Sequence, residues 1–174
     1  MIVRPETPAD HAAIAEVVAA AFGSDVEAAL VGRIRASEEY VAALSLVAER
    51  EGRIVGHVMV SGARLRSADG DHPIVMLSPL AVAPAEQGRG VGGTLVRAVT
   101  RRTGDLGHPF VVLEGSPAYY ARFGFEPAAR YGVVLPLPDW APPEAAQLLR
   151  LPGCTDAALH GGGTVVYPPA FDGV

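Results

Sequence analysis

The chain has 174 residues, 49% of them hydrophobic, and this size and composition predict one folded domain over residues 1–174 rather than a disordered chain. Its formal net charge of −5 argues against nucleic acid as a partner, and no apolar run approaches the ~18 residues of a membrane span. The single cysteine, Cys154, cannot form an internal disulfide, and its free thiol together with the lack of an apolar leader predicts a cytoplasmic protein.

The first part of the chain is predicted to form one strand and two helices. The β-branched run "IVR" at residues 2–4 is typical of a short strand. Thr7 and Pro8 then stand where an N-cap and a first helical residue are expected, ahead of apolar residues at helical spacing. A second helix is predicted after Ser24, which is expected to cap it in a capping box with Glu27. One strand is therefore followed by two consecutive helices.

The middle of the chain is predicted to form a three-stranded antiparallel meander. The runs "LSLVAE" and "IVGHVMVS" flank the turn "REGR" and are typical of a β-hairpin. After the polar stretch "RSADGDH", the run "PIVMLSPLAVAP" predicts a third strand. A glycine-rich stretch follows, and then a helix whose apolar face is formed by Val91, Leu95 and Val99.

The last part of the chain alternates strands with one short helix. The run "FVVLE", from Phe110 to Glu114, predicts a strand. Ser116 as N-cap and Gly124 as the terminating residue predict a short helix between them. Two further strands are predicted in "AAQLLRL" and "GTVVYP". The resulting order, β-α-α-β-β-β-α-β-α-β-β, is that of an α+β domain with a mixed sheet.

Four glycines, Gly88, Gly90, Gly92 and Gly93, crowd the start of the third predicted helix. Glycine lets the backbone approach a ligand closely, and a helix N-terminus offers free N–H donors to an anion. One interpretation is a dinucleotide site, because "GRGVGG" matches G-x-G-x-x-G and Glu114 lies about 20 residues further on. However, "APAEQ" separates these glycines from the preceding strand. A second interpretation is a plain turn that starts a helix. A plain turn requires only one or two glycines, whereas this stretch has four.

A third interpretation counts from Gln87, since "QGRGVG" has the pattern Q-x-x-G-x-G. Further along the chain, the residues from Tyr120 to Phe125 have the pattern Y-x-x-x-G-F. The two motifs, in this order, resemble those of the GNAT (GCN5-related) N-acetyltransferases. The resemblance implies a mixed, mostly antiparallel central sheet flanked by helices, with strands that splay at the cofactor site. It also implies acetyl-CoA as the cosubstrate.

The resemblance assigns cofactor binding to two neighbouring segments. The diphosphate of coenzyme A would bind the turn formed by Gln87, Gly88, Arg89, Gly90, Val91, Gly92, Gly93 and Thr94. The pantetheine arm would pair with the backbone of Leu80, Ala81 and Val82. A backbone N–H near Val82 would stabilise the oxyanion of the tetrahedral intermediate.

The resemblance also points to proton-transfer residues. Tyr120 matches the position of the general acid that protonates the leaving thiolate. Many family members carry a carboxylate eleven residues before the motif glutamine, but this chain has Met76 there. Glu114 is therefore predicted as the catalytic base, with Glu49 and His72 as alternatives. The histidines show no ligand spacing, so no metal site is predicted.

The expected activity is transfer of an acetyl group from acetyl-CoA to a primary amine by direct attack, without an acyl-enzyme at Cys154. The acceptor is expected to be a small-molecule or peptide amine, bound in a pocket that the loop Leu135–Glu144, with Trp140, helps to line. The alternative is a non-catalytic acyl-CoA-binding or regulatory module on the same fold. Neither a nucleic acid nor a membrane is predicted as a partner.

Overall fold

The computed structural model describes residues 1–174 and contains one nine-stranded sheet. The strands are β1 (Ile2–Pro5), β2 (Ser45–Arg50), β3 (Arg53–Ser67), β4 (Gly70–Val82), β5 (Phe110–Glu114), β6 (Glu126–Pro127), β7 (Val133–Val134), β8 (Ala146–Arg150) and β9 (Gly163–Val166). The helices are α1 (His11–Phe22), α2 (Val26–Arg35), α3 (Val91–Asp105) and α4 (Pro117–Tyr120). None of them combines the length and the apolar character that crossing a lipid bilayer requires.

The sheet is mostly antiparallel, as the sequence predicts. Its main path runs β1-β2-β3-β4-β5-β8-β6, and β9 pairs with both β3 and β7. The pairs β4–β5 and β7–β9 are parallel, and all other pairs are antiparallel. The predicted α+β fold with a mixed, mostly antiparallel sheet is therefore confirmed.

The hairpin formed by β3 and β4 is longer than the sequence pattern predicts. The predicted strand ends at Ser61, whereas β3 continues to Ser67. In this extension Ala63 and Leu65 are buried, and the intervening arginines point outward, so the period-two alternation of a strand persists. The two-residue strands β6 and β7 are too short to show any such period, so the sequence does not predict them.

Helices cover both faces of the central strands. On one face α3 packs through Leu95 against Leu46 of β2 and its neighbours. On the other face α1 and α2 pack through Ile14 and Leu30 against Val47. Because Leu46 and Val47 are consecutive in β2, their side chains point to opposite faces of the sheet.

Strands β4 and β5 pair over a short stretch and then separate. Their parallel register consists of Val75 with Val111 and Met76 with Val112. Just beyond it, a β-bulge at residues 78–79 disturbs the pairing of β4 with β3, and a bulge of this kind bends its strand. The two strands run on to Val82 and Glu114 without pairing with each other again. The sheet therefore has an opening between two strand ends, and the elements that follow those ends border it.

A buried polar network joins β1, α2 and β3 away from this opening. Glu6, directly after β1, accepts hydrogen bonds from Arg35 at 2.7 and 3.0 Å and from Tyr40 at 2.9 Å. Its Oε2 lies 3.3 Å from His57 Nε2, and both side chains are almost completely buried. Burial by itself raises the pKa of Glu6, but hydrogen bonds from His57, Arg35, Ser45 and Tyr40 together lower it below its usual range.

The same burial lowers the pKa of His57, so the folded protein holds this imidazole neutral. The unfolded chain binds a proton on His57 below pH ~6.5, whereas the folded chain does not. We therefore expect the free energy of unfolding to fall as the pH is lowered through this value, with a limiting slope of about 1.4 kcal/mol per pH unit from this residue.

Urea denaturation of wild type and His57→Gln between pH 7.5 and 5.5 measures this contribution. Glutamine keeps an amide nitrogen near the position of Nε2 but does not titrate, so the variant should show the shallower pH dependence. Parallel curves for the two proteins would show that His57 is not the group responsible.

Candidate functional site

The glycine-rich turn before α3 presents unused backbone donors. Gly90, the N-cap of α3, has φ 82°, and Gly88 has φ 74°, so both adopt the left-handed conformation that favours glycine. The first N–H of this region that finds a backbone acceptor is that of Thr94, which donates to Gly90 O at 3.1 Å. No N–H from Gly88 to Gly93 donates to a group of the chain. These donors, at the positive end of a helix, suit an anion.

Side chains around the turn fix its shape. Gln87 donates from Nε2 to the backbone carbonyl of Val82 at 3.1 Å, which ties the turn to the end of β4. Glu86 forms ion pairs with Arg50 and Arg89. The side chain of Gln87 therefore stabilises the backbone of its own loop. Arg89, which is 61% exposed at the side chain, is directed to its carboxylate partner and does not line the cleft beside the turn.

This cleft, called the glycine cleft below, has a volume of about 550 Å³. It is bordered by the turn, by β4 and by α4 with the residues after it; the lining side chains on these last elements are Leu80, Val82, Tyr119, Arg122 and Phe123. Ala81 points into the core on the α1–α2 side, so it can offer the cleft only its backbone.

Two arginines stand at the glycine cleft. The guanidinium of Arg97 lies 5.1 Å from the centroid of the Phe123 ring, and that of Arg122 lies 4.3 Å from the Tyr119 ring. Arg122 also donates from Nε to the carbonyl of Tyr119 at 2.9 Å. Neither arginine is among the site residues that the sequence predicts. For Arg97 the sequence does contain a signal. Arg97 lies four residues after Gly93 on one helix, and residues at this spacing share a helix face.

A second cleft, of about 650 Å³, lies between the ends of β4 and β5 and is called the strand cleft below. It meets the glycine cleft at three shared residues, Phe22, Leu80 and Tyr119. Tyr120 and Glu114, the predicted acid and base, both line the strand cleft. Cys154 lines neither cleft.

The phenol of Tyr120 is held in a nearly buried position. Its ring lies against Gly115, where a Cβ would come within 2.5 Å of the ring, so the close approach depends on glycine. It also packs edge-on against Phe125, with ring centroids 5.6 Å apart. Burial raises the pKa of Tyr120, and no hydrogen bond within the chain contributes to this shift or engages its hydroxyl. A neutral phenol is therefore free to donate into the strand cleft.

Glu114 stands at the exposed rim of the strand cleft. One of its oxygens accepts a hydrogen bond of 2.6 Å from the hydroxyl of Tyr167, which follows β9. Burial, together with this bond, raises the pKa of Tyr167. The sequence does not predict this partner, because no local pattern relates residues that are this far apart in the chain. The alternative bases Glu49 and His72 line neither cleft; the first is bound to Arg4 and the second to Asp69.

A second carboxylate of the strand cleft belongs to Glu27, in the first turn of α2. The predicted capping box with Ser24 is wrong, since Ser24 Oγ accepts from the N–H of Val26 and Glu27 takes no part. The Oε2 of Glu27 is shielded from solvent and has no hydrogen-bond partner.

The loop Leu135–Glu144 does not contribute to either cleft. Its Trp140 is 84% exposed. The prediction that this loop helps to line the acceptor pocket is therefore wrong. The structure instead places α1, α2 and the segment after β5 around the strand cleft.

Two histidines distant in the sequence meet at the tip of the β3–β4 hairpin. The rings of His72 and His160 stack with centroids 3.4 Å apart, and Asp69 lies beside both. One nitrogen of each ring and a carboxylate oxygen of Asp69 lie within 4.8 Å of one another, which is close enough for the three groups to share a metal ion. The absence of a metal site stays a prediction.

Comparison with known proteins agrees with this architecture. A family model described as the acetyltransferase (GNAT) domain matches residues 2–128. Among curated relatives, the uncharacterized N-acetyltransferase YjhQ of Escherichia coli K12 is 39% identical over 134 residues, which is 75% of this chain and 74% of that protein. The uncharacterized N-acetyltransferase YhbS of the same strain is 35% identical over 175 residues, which is 99% of each chain.

Two solved structures are similar over almost the whole chain. The crystal structure of YhbS from Escherichia coli in complex with CoA has a TM-score of 0.84 at 32% identity, covering 98% of this chain and 91% of that one. A GNAT family acetyltransferase from Brucella melitensis, in complex with acetyl-CoA, has a TM-score of 0.77 at 31% identity, covering 98% and 97%. With a family model over residues 2–128 and relatives that match from end to end, the chain belongs to the GNAT acetyltransferase family.

Proposed function

We propose that this protein transfers the acetyl group of acetyl-CoA to a primary amine by direct attack, without an acyl-enzyme. The observation that carries the proposal is the junction of the two clefts, with free backbone donors in one and an unbonded, neutral phenol in the other. The complexes of the two similar proteins with CoA and acetyl-CoA support the choice of cosubstrate. Cys154 lines neither cleft, in agreement with direct transfer.

The proposed diphosphate site is the glycine turn. The N–H groups of Gly88 to Gly93 would donate to phosphate oxygens, and the N-terminal end of α3 favours their negative charge. Arg97 and Arg122, at the same cleft, would add charge-assisted hydrogen bonds to phosphate. In this arrangement Gln87 has an indirect role, because its side chain holds the turn against the end of β4.

The proposed path of the pantetheine arm follows β4. Leu80, Ala81 and Val82 pair with β3 on one edge, while β5 no longer pairs on the other. The open edge can form main-chain hydrogen bonds with an extended ligand, in the manner of an added strand. An arm lying there would bring the thioester from the glycine turn to the junction with the strand cleft, beside Tyr119.

The chemistry at the junction requires three groups. The neutral amine attacks the thioester carbonyl carbon, a C–N bond forms, and a backbone N–H near Val82 stabilises the oxyanion. The C–S bond then breaks, and Tyr120 donates its proton to the leaving thiolate. A carboxylate must first take a proton from the acceptor. The sequence predicts Glu114 as this carboxylate, and one of its oxygens is engaged with Tyr167.

The glycine turn is tested by Gly90→Ala. An alanine at φ 82° is strained, and its methyl group would project into space that is open in this structure, where the diphosphate is proposed to bind. We expect acetyl-CoA affinity, measured by calorimetry, to fall about tenfold or more, a change of about 1.4 kcal/mol.

Gly153→Ala is the matched control, since Gly153 has φ 85°, open surroundings and no place in either cleft. It should lower stability by a similar amount and leave acetyl-CoA binding unchanged. NAD should bind neither variant nor wild type. Unchanged acetyl-CoA affinity in Gly90→Ala, or tight binding of NAD by wild type, would contradict the assignment of the turn.

Tyr120→Phe tests the proton donor. The change removes only the hydroxyl, which has no partner in the chain, so stability and acetyl-CoA affinity should remain close to wild type. We expect kcat to fall about 10²–10⁴-fold in an assay of thiol release with primary amines. Tyr131→Phe is the control, because its hydroxyl binds Glu126 outside both clefts.

A kcat close to wild type in Tyr120→Phe, with chemistry rate-limiting, would show that the thiolate leaves without this proton. Tight acetyl-CoA binding by wild type with no thiol release for any amine would identify the protein as a non-catalytic acyl-CoA-binding module.

A further inference from the structure

Glu27 is a carboxylate without a donor inside the fold. It lies in the first turn of α2 and lines the strand cleft together with Tyr120. Its Oε2 is shielded from water and accepts no hydrogen bond. An unpaired buried carboxylate oxygen is costly, because it has lost its hydration and has gained nothing in exchange.

Two other carboxylates with little solvent exposure are bonded within the chain. Glu6 accepts from Arg35 and Tyr40, and Asp10 accepts from Arg4 and from Thr7. Glu27 differs from them in that no positively charged side chain reaches it. The missing donor can therefore come from a ligand in the strand cleft.

The charges around the strand cleft define the ligand class. Its ionisable side chains are the carboxylates of Glu27 and Glu114 and the two tyrosines, and no lysine, arginine or histidine lines it. Much of the remaining wall is apolar, with Phe22, Leu30 and Leu77 among its members. The arginines of the site line the glycine cleft instead. A ligand with a cationic group and an apolar remainder fits the strand cleft. A ligand that places a carboxylate in this cleft does not, because the carboxylates of the wall would repel it.

We propose that Glu27 binds the ammonium group of a cationic primary-amine acceptor and takes its proton, an inference that rests on the proposed acetyl transfer. An ammonium offers three N–H donors, so it can satisfy Oε2 as no group of the chain does. The assignment places the base at the inner wall of the cleft, on α2, and not at the rim, where Glu114 bonds to Tyr167.

The proton balance is closed by Glu27 and Tyr120. The ammonium gives one proton to the Glu27 carboxylate, and the resulting lone pair forms the C–N bond to the acetyl carbon. As the C–S bond breaks, Tyr120 gives its proton to sulfur and regains one from the attacking nitrogen. Glu27 releases its proton to water when the amide leaves, so ammonium and acetyl-CoA yield the amide, the free thiol and one proton.

The experiment compares Glu27→Gln with Glu114→Gln and with a charge-matched control. Asp25→Asn removes one negative charge at an exposed position two residues earlier, outside both clefts. Binding of 2-phenylethylamine, spermidine and a lysine-containing tripeptide is measured by calorimetry in the presence of CoA, where no turnover occurs. The neutral analogue 2-phenylethanol serves as a reference. The kcat and KM of thiol release are measured with acetyl-CoA, and acetyl-CoA affinity is measured separately.

We expect Glu27→Gln to lose the preference of wild type for an amine over 2-phenylethanol and to lower kcat/KM about 10²–10⁴-fold. Its acetyl-CoA affinity should equal that of wild type, and Asp25→Asn should match wild type throughout. The inference is overturned if Glu27→Gln keeps its amine binding and kcat/KM, if Glu114→Gln alone shows the loss, or if wild type binds none of the amines. Failure of wild type to bind acetyl-CoA would instead refute the proposed acetyl transfer.

Discussion

The separation of β4 from β5 is the constraint on which the rest of the site depends. The two strands share two residue pairs and then run to their ends unpaired. Each end leads directly into an element of the site. The end of β4 leads into the glycine turn and α3, and the end of β5 leads into Glu114 and α4 with Tyr120. A continuous ladder between the strands would close the gap and bury the edge that the proposed mechanism assigns to the pantetheine arm.

The opening also divides the site by charge. On the glycine side, backbone N–H groups and the guanidinium groups of Arg97 and Arg122 favour an anion. On the strand side, the carboxylates of Glu27 and Glu114 favour a cation. Tyr119 and Tyr120 stand at or near the junction, where burial keeps both phenols protonated by raising their pKa values. In the proposed reaction this division brings an anionic cosubstrate and a cationic acceptor to opposite sides of one thioester.

The parts of the fold that the sequence predicts are those with local signatures. Helix periodicity, the Ser116 cap and the glycine turn each depend on residues close together in the chain, and the structure places these elements as expected. The contacts that the sequence does not predict join distant segments. Tyr167, which follows β9, reaches Glu114, and Arg122 enters the glycine cleft beside α3. The sequence predicts a capping role for Glu27 because Ser24 stands three residues before it, and only the tertiary packing shows that its Oε2 has no partner.

Amide hydrogen–deuterium exchange, resolved to single residues with and without saturating acetyl-CoA, tests the central claim most directly. If the opening between β4 and β5 is the cofactor site, the amides of Gly88–Gly93 and of Leu80–Val82 should exchange more slowly in the complex. The hairpin tip at residues 68–70, remote from the opening in the sequence and in the sheet, should exchange at the same rate in both states. Protection that spares Gly88–Gly93 and appears elsewhere would contradict the account.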